Sequence, residues 1–254
     1  MNKTPMTANQ WADYWYYIVG VNVIPANNTH SDPKLCKKPF WTDSKGIQHW
    51  ISWKKDGYQT EPIPEELFKF WKVNNAFDKG IAIICGKVMR GAYKGLWING
   101  IDCDNKAGTE AMCPQGVEET AKRTLVEQHA NPDKCHILFY TKEPLKNRAA
   151  VVGAEKQIEV KSMGKHLLYC SGGYHKDGSL IDIVGTEIIQ IVNDHQALEK
   201  RLDKELGTVI KLKSTSAKVT DEELSKLNEG DNRQDTILRK LGQHFHPMPQ
   251  KEIT

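Results

Sequence analysis

The chain has 254 residues, of which 39% are hydrophobic and 26% charged, and its formal net charge is +3. This composition is that of an ordinary globular protein, and the length is enough for one sizeable domain, or one domain and part of another. The slight positive charge permits nucleic acid as a partner but does not require it.

The first third of the chain alternates helical and extended patterns. Thr7 suits an N-cap, and apolar residues then recur at helical spacing as far as Gly20, which predicts a helix that ends there. Residues 21–24 predict a short strand, whereas 26–60 is polar, aromatic and rich in lysine and predicts mostly loop. A second helix is predicted to open at Pro64.

The middle of the chain is richer in extended patterns. A helix is predicted for 117–129, followed by a turn at 131–133. The predicted strands are 79–86, 96–104, 135–140, 157–161 and 166–170, with one or two more between 179 and 192. We expect 157–161 and 166–170 to form a hairpin across Met163-Gly164.

The composition changes near residue 206. The following residues lose their periodicity and become rich in Lys, Ser and Thr, which predicts a linker. A capping box, Thr220-Asp221-Glu222-Glu223, then begins a new helix. We expect a main domain over 1–205, a linker over 206–219, and over 220–254 the start of a helical domain that belongs to a longer protein.

The cysteines are scattered and give no disulfide framework or Cys-x-x-Cys pair, so we expect no zinc and a reducing, cytoplasmic environment. The longest apolar stretch, 16–25, is too short to cross a bilayer, and we expect no membrane partner. The cysteines are Cys36, Cys85, Cys103, Cys113, Cys135 and Cys170.

Two carboxylates, Asp102 and Asp104, stand two residues apart in an apolar run that predicts a strand. Alternate side chains of a strand share a face, so both acids would project together while Ile101 and Cys103 enter the core. Two acids that close repel one another unless a positive charge lies between them. A divalent metal ion is the usual solution.

Three more polar residues, His136, Glu159 and Lys161, lie on otherwise apolar strands, where burial without partners is costly. If these strands are neighbours in one sheet, the three residues converge with the acid pair. Three carboxylates can hold two divalent ions about 4 Å apart. Mg²⁺ and Mn²⁺ prefer such oxygen ligands, with substrate phosphates completing the shell. The set therefore predicts phosphoryl transfer.

The order and spacing of these motifs resemble the archaeo-eukaryotic primase superfamily, most closely the primase–polymerase domain of archaeal plasmid and viral replicases. The resemblance covers most of residues 8–190. Besides the acid pair, the matching segments are Val23-Ile24-Pro25, Lys37-Lys38-Pro39, Gly80-Ile81-Ala82-Ile83, His136, Ile158-Glu159-Val160 and the loop 169–175.

The resemblance implies an α+β fold, in which an RRM-like catalytic sheet packs against an N-terminal α/β subdomain. It implies a DNA primase and polymerase that works on single-stranded template and primer with dNTPs or NTPs and two Mg²⁺ or Mn²⁺ ions, in plasmid or viral replication. A helicase domain would lie beyond residue 254. The metal ligands would be Asp102, Asp104 and Glu159. The nucleotide-side residues would be His136, Lys161, Ser171 and His175, and Lys37 and Lys38 would contact DNA.

Two alternatives remain open. Pro132-Asp133 followed by Glu159-Val160-Lys161 imitates the Pro-Asp…Glu-x-Lys pattern of metal-dependent nucleases, although that pattern leaves the acid pair unexplained. A non-catalytic module that binds single-stranded DNA would instead use the aromatic residues that lie among lysines, which suit base stacking. Those residues are Phe40, Trp41, Trp50, Trp53 and Tyr58.

Overall fold

The computed structural model describes residues 6–32, 34–150, 154–174 and 178–206. All of them belong to the first of the two units into which the chain divides, Met1–Val209. His175 and, apart from Leu206, the predicted linker and helical segment lie outside the described residues. No helix in the described ranges is long and apolar enough to cross a membrane.

The described chain contains five α-helices and twelve strands. The helices are α1 (Ala8–Asp13), α2 (Glu65–Val73), α3 (Lys106–Met112), α4 (Val117–Ala121) and α5 (His195–Leu206), and a π-helix over Tyr14–Val19 continues α1. The strands are β1 (Val23–Pro25), β2 (Phe40–Thr42), β3 (Gln48–Trp50), β4 (Ile81–Cys85), β5 (Trp97–Cys103), β6 (Val126–Gln128), β7 (Cys135–Thr141), β8 (Arg148–Ala149), β9 (Ile158–Lys161), β10 (His166–Tyr169), β11 (Asp182–Val184) and β12 (Ile191–Val192).

These strands form three sheets. The large sheet has the order β11-β6-β7-β5-β9-β8, and β12 also pairs with β7; the small sheet has the order β1-β4-β10, and β2 pairs with β3. Every pairing is antiparallel except that of β12 with β7. Separate helices on largely antiparallel sheets confirm the α+β class.

The large sheet is covered on both faces, and alternate residues of each strand pack into one of two core clusters. Ile98 and Leu138 belong to a core cluster shared with the small sheet, whereas Ile101 and Ile137 belong to a second cluster beneath α5. At Gly100 the sheets approach so closely that a Cβ would lie 2.9 Å from a methyl carbon of Leu168. Since Asp102 follows Gly100 by two residues, its side chain lies on the face that meets the small sheet.

The start of the chain folds as the sequence predicts. Thr7 caps α1 and forms a capping box with Gln10. Gly20 closes the helical segment in the left-handed conformation, with φ of 81°, which glycine adopts without steric cost. The last turns are π-helical rather than α-helical, a detail that apolar spacing does not distinguish.

The predicted helix over 117–129 is wrong beyond Ala121. The chain leaves the helix after α4 and forms β6 inside the large sheet, between the edge strand β11 and β7. Thr124 supports this exit, because its hydroxyl donates a hydrogen bond to the carbonyl of Leu138. The tertiary pairing of β6 with β7 therefore overrides a weak helical pattern.

The predicted hairpin across Met163-Gly164 is also wrong. Both strands exist, but β9 pairs with β5 in the large sheet, and β10 pairs with β4 in the small sheet. The connection passes from one sheet to the other. Gly164 sits close to the small sheet there, with its N–H donating to the carbonyl of Cys85 at 2.7 Å.

The segment 26–60 is more ordered than predicted. It contains the β2–β3 hairpin, which places Phe40 opposite Trp50 and Trp41 opposite His49. The described chain also contains α3 and α5, two helices that were not predicted from the sequence.

The loop after β10 depends on a glycine that contacts α1. Gly172 has φ of 88°, and a Cβ there would lie 2.3 Å from the Cβ of Trp11. We expect Gly172→Ala to lower the melting temperature strongly, since the clash adds to the cost of a left-handed alanine.

The matched control is Gly178→Ala. Gly178 has a similar φ of 84° but no atom within 4 Å of its Cβ position. Gly178→Ala therefore carries only the cost of a left-handed alanine, about 1–2 kcal/mol, without the clash. Equal melting temperatures for the two variants, measured by circular dichroism, would contradict the close contact with Trp11.

Candidate active site

The strand register brings four ionisable residues into one row across the large sheet. Asp102 on β5 lies opposite His136 on β7 and, on its other side, opposite Glu159 on β9. His136 in turn lies opposite Glu127 on β6. Directly opposed residues of antiparallel strands have their side chains on the same face, with Cβ atoms about 5 Å apart. The predicted convergence of Asp102, His136 and Glu159 therefore follows from the backbone.

Lys161 places a positive charge between two acids of this row. Its ammonium lies 3.3 Å from Oδ2 of Asp102 and 2.6 Å from Oε2 of Glu159. Burial alone would lower the pKa of Lys161, but the two carboxylates outweigh it and raise the pKa above its usual value. The space between Asp102 and Glu159 thus holds a cation.

The ring of His136 lies between two other acids of the row, Glu127 and Asp102. Nδ1 lies 2.9 Å from Oε2 of Glu127, and Nε2 lies 3.4 Å from Oδ1 of Asp102. Burial disfavours the imidazolium, but the two carboxylates outweigh this effect and raise the pKa of His136 to about 9. At neutral pH the ring is therefore cationic, and its Nε2 also lies 3.1 Å from Nε2 of His129.

Asp102 is the centre of the row because both of its oxygens face a cation. Burial alone would raise the pKa of Asp102, but the positive charges of His136 and Lys161 hold that pKa far below its usual value. Asp102 is therefore a permanent anion at any physiological pH. Solvent exposure of the side chains rises along the row, from 0% at Glu127 to 14% at Asp102 and 32% at Glu159. The row is buried at one end and open at the other.

Glu127 is the functional candidate that the sequence prediction missed. Its carboxylate is fully buried and accepts hydrogen bonds from His136 and from the backbone N–H of Ser171, the latter at 2.5 Å. The predicted helix hid this residue, because a glutamate in a helix is ordinarily solvated. A sequence signal exists in the apolar neighbours Leu125 and Val126, which make Glu127 an isolated charge in a buried segment.

Asp104 stands apart from the row. It follows the last residue of β5, its backbone N–H donates to the carbonyl of Gln157 at 2.9 Å, and its exposed carboxylate lies 3.5 Å from the ammonium of Lys134. Each predicted metal ligand therefore already has a cationic neighbour. For Glu159 this neighbour is Lys161. Nδ1 of His166 on β10 also lies 3.4 Å from Glu159, but burial lowers the pKa of His166, so that ring is neutral at pH 7.

The remaining predicted residues occupy different positions. Ser171 is buried, and its hydroxyl has no hydrogen-bond partner in the described part of the chain. Lys37 adopts φ of 58°, and its carbonyl accepts a hydrogen bond from the hydroxyl of Tyr169. Lys38 is exposed and forms an isolated bridge with Asn27. Neither lysine contacts the row directly in the hydrogen bonds and ion pairs given by the described residues.

The donor chemistry of the row fits a hard divalent cation, since Asp102 and Glu159 are carboxylates that face a common positive charge. A metal ion between them would have to replace the ammonium of Lys161. As the side chains stand, the described residues contain no group of three or more His, Cys, Asp or Glu arranged to hold a metal ion. The two metal sites thus remain a prediction that requires side-chain movement.

The residues of the nuclease alternative are separated by a strand. Asp133 precedes β7, whereas Glu159 and Lys161 lie on β9, and β5 runs between those two strands. Two interstrand spacings amount to about 10 Å. Lys161 faces Asp102 instead, so the acid pair of that mechanism does not form around Asp133.

Comparison with known proteins identifies no family for this chain. The chain matches no protein-family model, and a search of curated proteins finds no relative.

Proposed function

We propose that this chain is a primase–polymerase domain that transfers nucleotides onto a primer on single-stranded DNA, in the replication of a plasmid or virus. The observation that carries the proposal is the pairing of Asp102 with Glu159 on adjacent strands with a cation between them. The motif order that resembles primase–polymerase domains supports the same reaction.

In this proposal Asp102, Asp104 and Glu159 hold two Mg²⁺ or Mn²⁺ ions. When bound, the ions activate the attacking 3′-hydroxyl and stabilise the leaving pyrophosphate. The protein's own residues position the reactants. His136, held cationic between Glu127 and Asp102, attracts the triphosphate. The hydroxyl of Ser171, which has no partner among the described residues, can be offered to a phosphate oxygen.

One assay separates this proposal from its two alternatives. Primed and unprimed single-stranded templates are incubated with Mg²⁺ or Mn²⁺, with and without dNTPs or NTPs. A primer that becomes longer supports the polymerase. DNA that becomes shorter without nucleotides supports a nuclease and contradicts the proposal, as does binding to DNA without any product.

Lys161 is expected to compete with the metal ion. Lys161→Met keeps an unbranched side chain that is one atom shorter, and it removes the ammonium that lies between the two carboxylates. We expect Mn²⁺ to bind at least about tenfold more tightly to this variant, because two uncompensated acids attract a cation strongly.

The measurement is a titration of the protein with Mn²⁺ followed by electron paramagnetic resonance, which counts free ions and needs no activity. Lys165→Met serves as the control, since Lys165 lies in the connection between β9 and β10, outside the row. Equal Mn²⁺ affinities in Lys161→Met and the wild type would contradict the site between Asp102 and Glu159.

A further inference from the structure

One short segment, 34–55, which we call the basic segment, has a local excess of positive charge. It contains six lysines and a single acid, Asp43, so its formal charge is +5, whereas the whole chain has +3. Every one of these lysines is exposed except Lys37, which is partly so. The six lysines are Lys34, Lys37, Lys38, Lys45, Lys54 and Lys55. Such a concentration of charge suits a partner with a repeated negative charge.

The basic segment also presents aromatic rings to solvent. Trp50 is 54% exposed, and its ring stacks on Phe40 with the ring centres 4.8 Å apart. On the opposite face of the β2–β3 hairpin, His49 stacks on Trp41, with the ring centres 4.4 Å apart. Phe40 and Trp41 are buried and hold the two outer rings in place. A large exposed indole backed by a buried ring is a preformed stacking surface, since little side-chain freedom is left to lose on binding.

A shallow cavity opens beside these rings. Its volume is about 220 Å³, and Phe70 of α2, 52% exposed, lies on its other side. The aromatic residues that line it are Trp41, His49, Trp50, Tyr58, Phe70 and Trp71. Asp56 also lines the cavity, and the ammonium of Lys54, two residues earlier in the chain, lies 5.0 Å from the ring centre of Trp53. The surface therefore offers flat apolar faces with charged groups nearby.

The basic segment borders the row of the candidate active site. The Lys37 ammonium lies 5.6 Å from the ring centre of Tyr169, and Tyr169 belongs to β10. His166 of the same strand faces Glu159 at 3.4 Å and has Lys54 among its electrostatic neighbours. A strand of nucleic acid that lies along the lysines would thus reach the open end of the row.

We propose that the basic segment binds single-stranded nucleic acid, with an unpaired base stacked on Trp50 and the phosphates of the strand on Lys54, Lys55 and Lys45. Bases of a duplex have no free face to offer, whereas every unpaired base has one. The charge of the segment favours this occupant over a neutral protein surface. The inference rests on the proposed function in one respect only: the bound strand would be the polymerase template.

The first test measures the stacking contact. Binding of a fluorescein-labelled oligo(dT) to the full chain is followed by anisotropy, without metal or nucleotides. We expect Trp50→Leu to weaken binding about tenfold, the effect of losing one stacked base. Tyr17→Leu is the matched control, because Tyr17 is another exposed ring, 40% exposed, outside the basic segment. Equal affinities of the wild type and Trp50→Leu would overturn the proposal.

The second test measures the phosphate contacts. The double variant Lys54→Gln/Lys55→Gln is expected to reduce the slope of log affinity against log salt by about 1.4, or 0.7 for each phosphate contact on a single strand. Lys94→Gln/Lys106→Gln removes two exposed lysines elsewhere and should leave the slope unchanged. Identical slopes for both double variants would contradict the proposal.

Light scattering tests the competing occupant, a second copy of the chain. A dimer in solution that Trp50→Leu converts to a monomer would overturn the nucleic-acid proposal.

The binding assay is also independent of catalysis. If the wild type binds oligo(dT) through Trp50 but extends no primer, the proposed function fails and this inference stands. If the wild type extends primers and Trp50→Leu binds normally, the inference fails and the proposed function stands.

Discussion

Asp102→Asn is expected to reduce primer extension by roughly 10²–10³-fold, the range typical for loss of one preorganised charge in an active site. The substitution keeps the shape of the side chain and both of its polar atoms. It removes the one acid of the row that faces cations on both sides, His136 at 3.4 Å and Lys161 at 3.3 Å. Any metal ion held between Asp102 and Glu159 would lose half of its anionic ligands.

The measurement is single-turnover extension of a labelled primer in Mg²⁺ and in Mn²⁺, with oligo(dT) affinity recorded for the same preparations. Affinity should not fall, since Asp102 lies outside the basic segment. Asp133→Asn is the matched control, because it removes an acid from the turn before β7 that the nuclease pattern would require. An Asp133→Asn variant that loses activity while Asp102→Asn retains it would contradict the proposed site.

Glu127→Leu is expected to destabilise the fold by about 3–5 kcal/mol, the cost of leaving a buried charge without its partner. Glu127 is fully buried and accepts hydrogen bonds from the His136 ring and the Ser171 N–H. After the substitution the ring loses one of its two anions, and the N–H of Ser171 has no acceptor. Glu127→Gln retains an acceptor and should cost less, about 1–3 kcal/mol.

Urea denaturation at several pH values measures the loss of stability in Glu127→Leu and shows whether the charge of His136 causes it. The pKa of His136 is raised from 6.5 to about 9 in the folded protein. A group whose pKa is higher in the folded than in the unfolded protein makes its full contribution to folding stability at pH values below the unfolded pKa. This contribution is lost as the pH rises through the folded pKa. The wild type should therefore lose stability between pH 6.5 and 9.

Glu127→Leu should show a weaker pH dependence in the same range, because one of the two carboxylates that raise the pKa of His136 is gone. His136→Gln should remove this contribution altogether. Parallel curves for the wild type and His136→Gln would show that the imidazolium does not contribute to stability. A Glu127→Leu variant as stable as the wild type would contradict the burial of this carboxylate.

The sequence predicts the centre of the candidate site well because period-two alternation is visible on the strands concerned. In Ile158-Glu159-Val160-Lys161 the apolar residues are buried and the polar ones are partly exposed, so Glu159 and Lys161 share a face as expected. The alternation cannot show that the Lys161 ammonium lies between Glu159 and Asp102. That contact depends on the register of β5 with β9, which no local pattern encodes.

Glu127 escapes prediction for a different reason. Its strand has only three residues, Val126–Gln128, too few for alternation to be recognised beside a helix-like run. The hairpin error has a similar origin, since two strands joined by a short glycine connection ordinarily pair with each other. Whether they do so depends on β4 and β5, whose sequence positions lie far from the turn.

The passage of the chain between the sheets at 162–165 has a consequence for the order of synthesis. Strand β4 lies between β1 and β10 in the small sheet, and β10 leaves the ribosome long after β4. Until then one edge of a wholly apolar strand, Ile81–Cys85, has no partner. Unpaired apolar edges recruit other chains. The nascent protein is therefore vulnerable to aggregation from the appearance of β4 until β10 covers that edge, and the same step delivers His166 to Glu159.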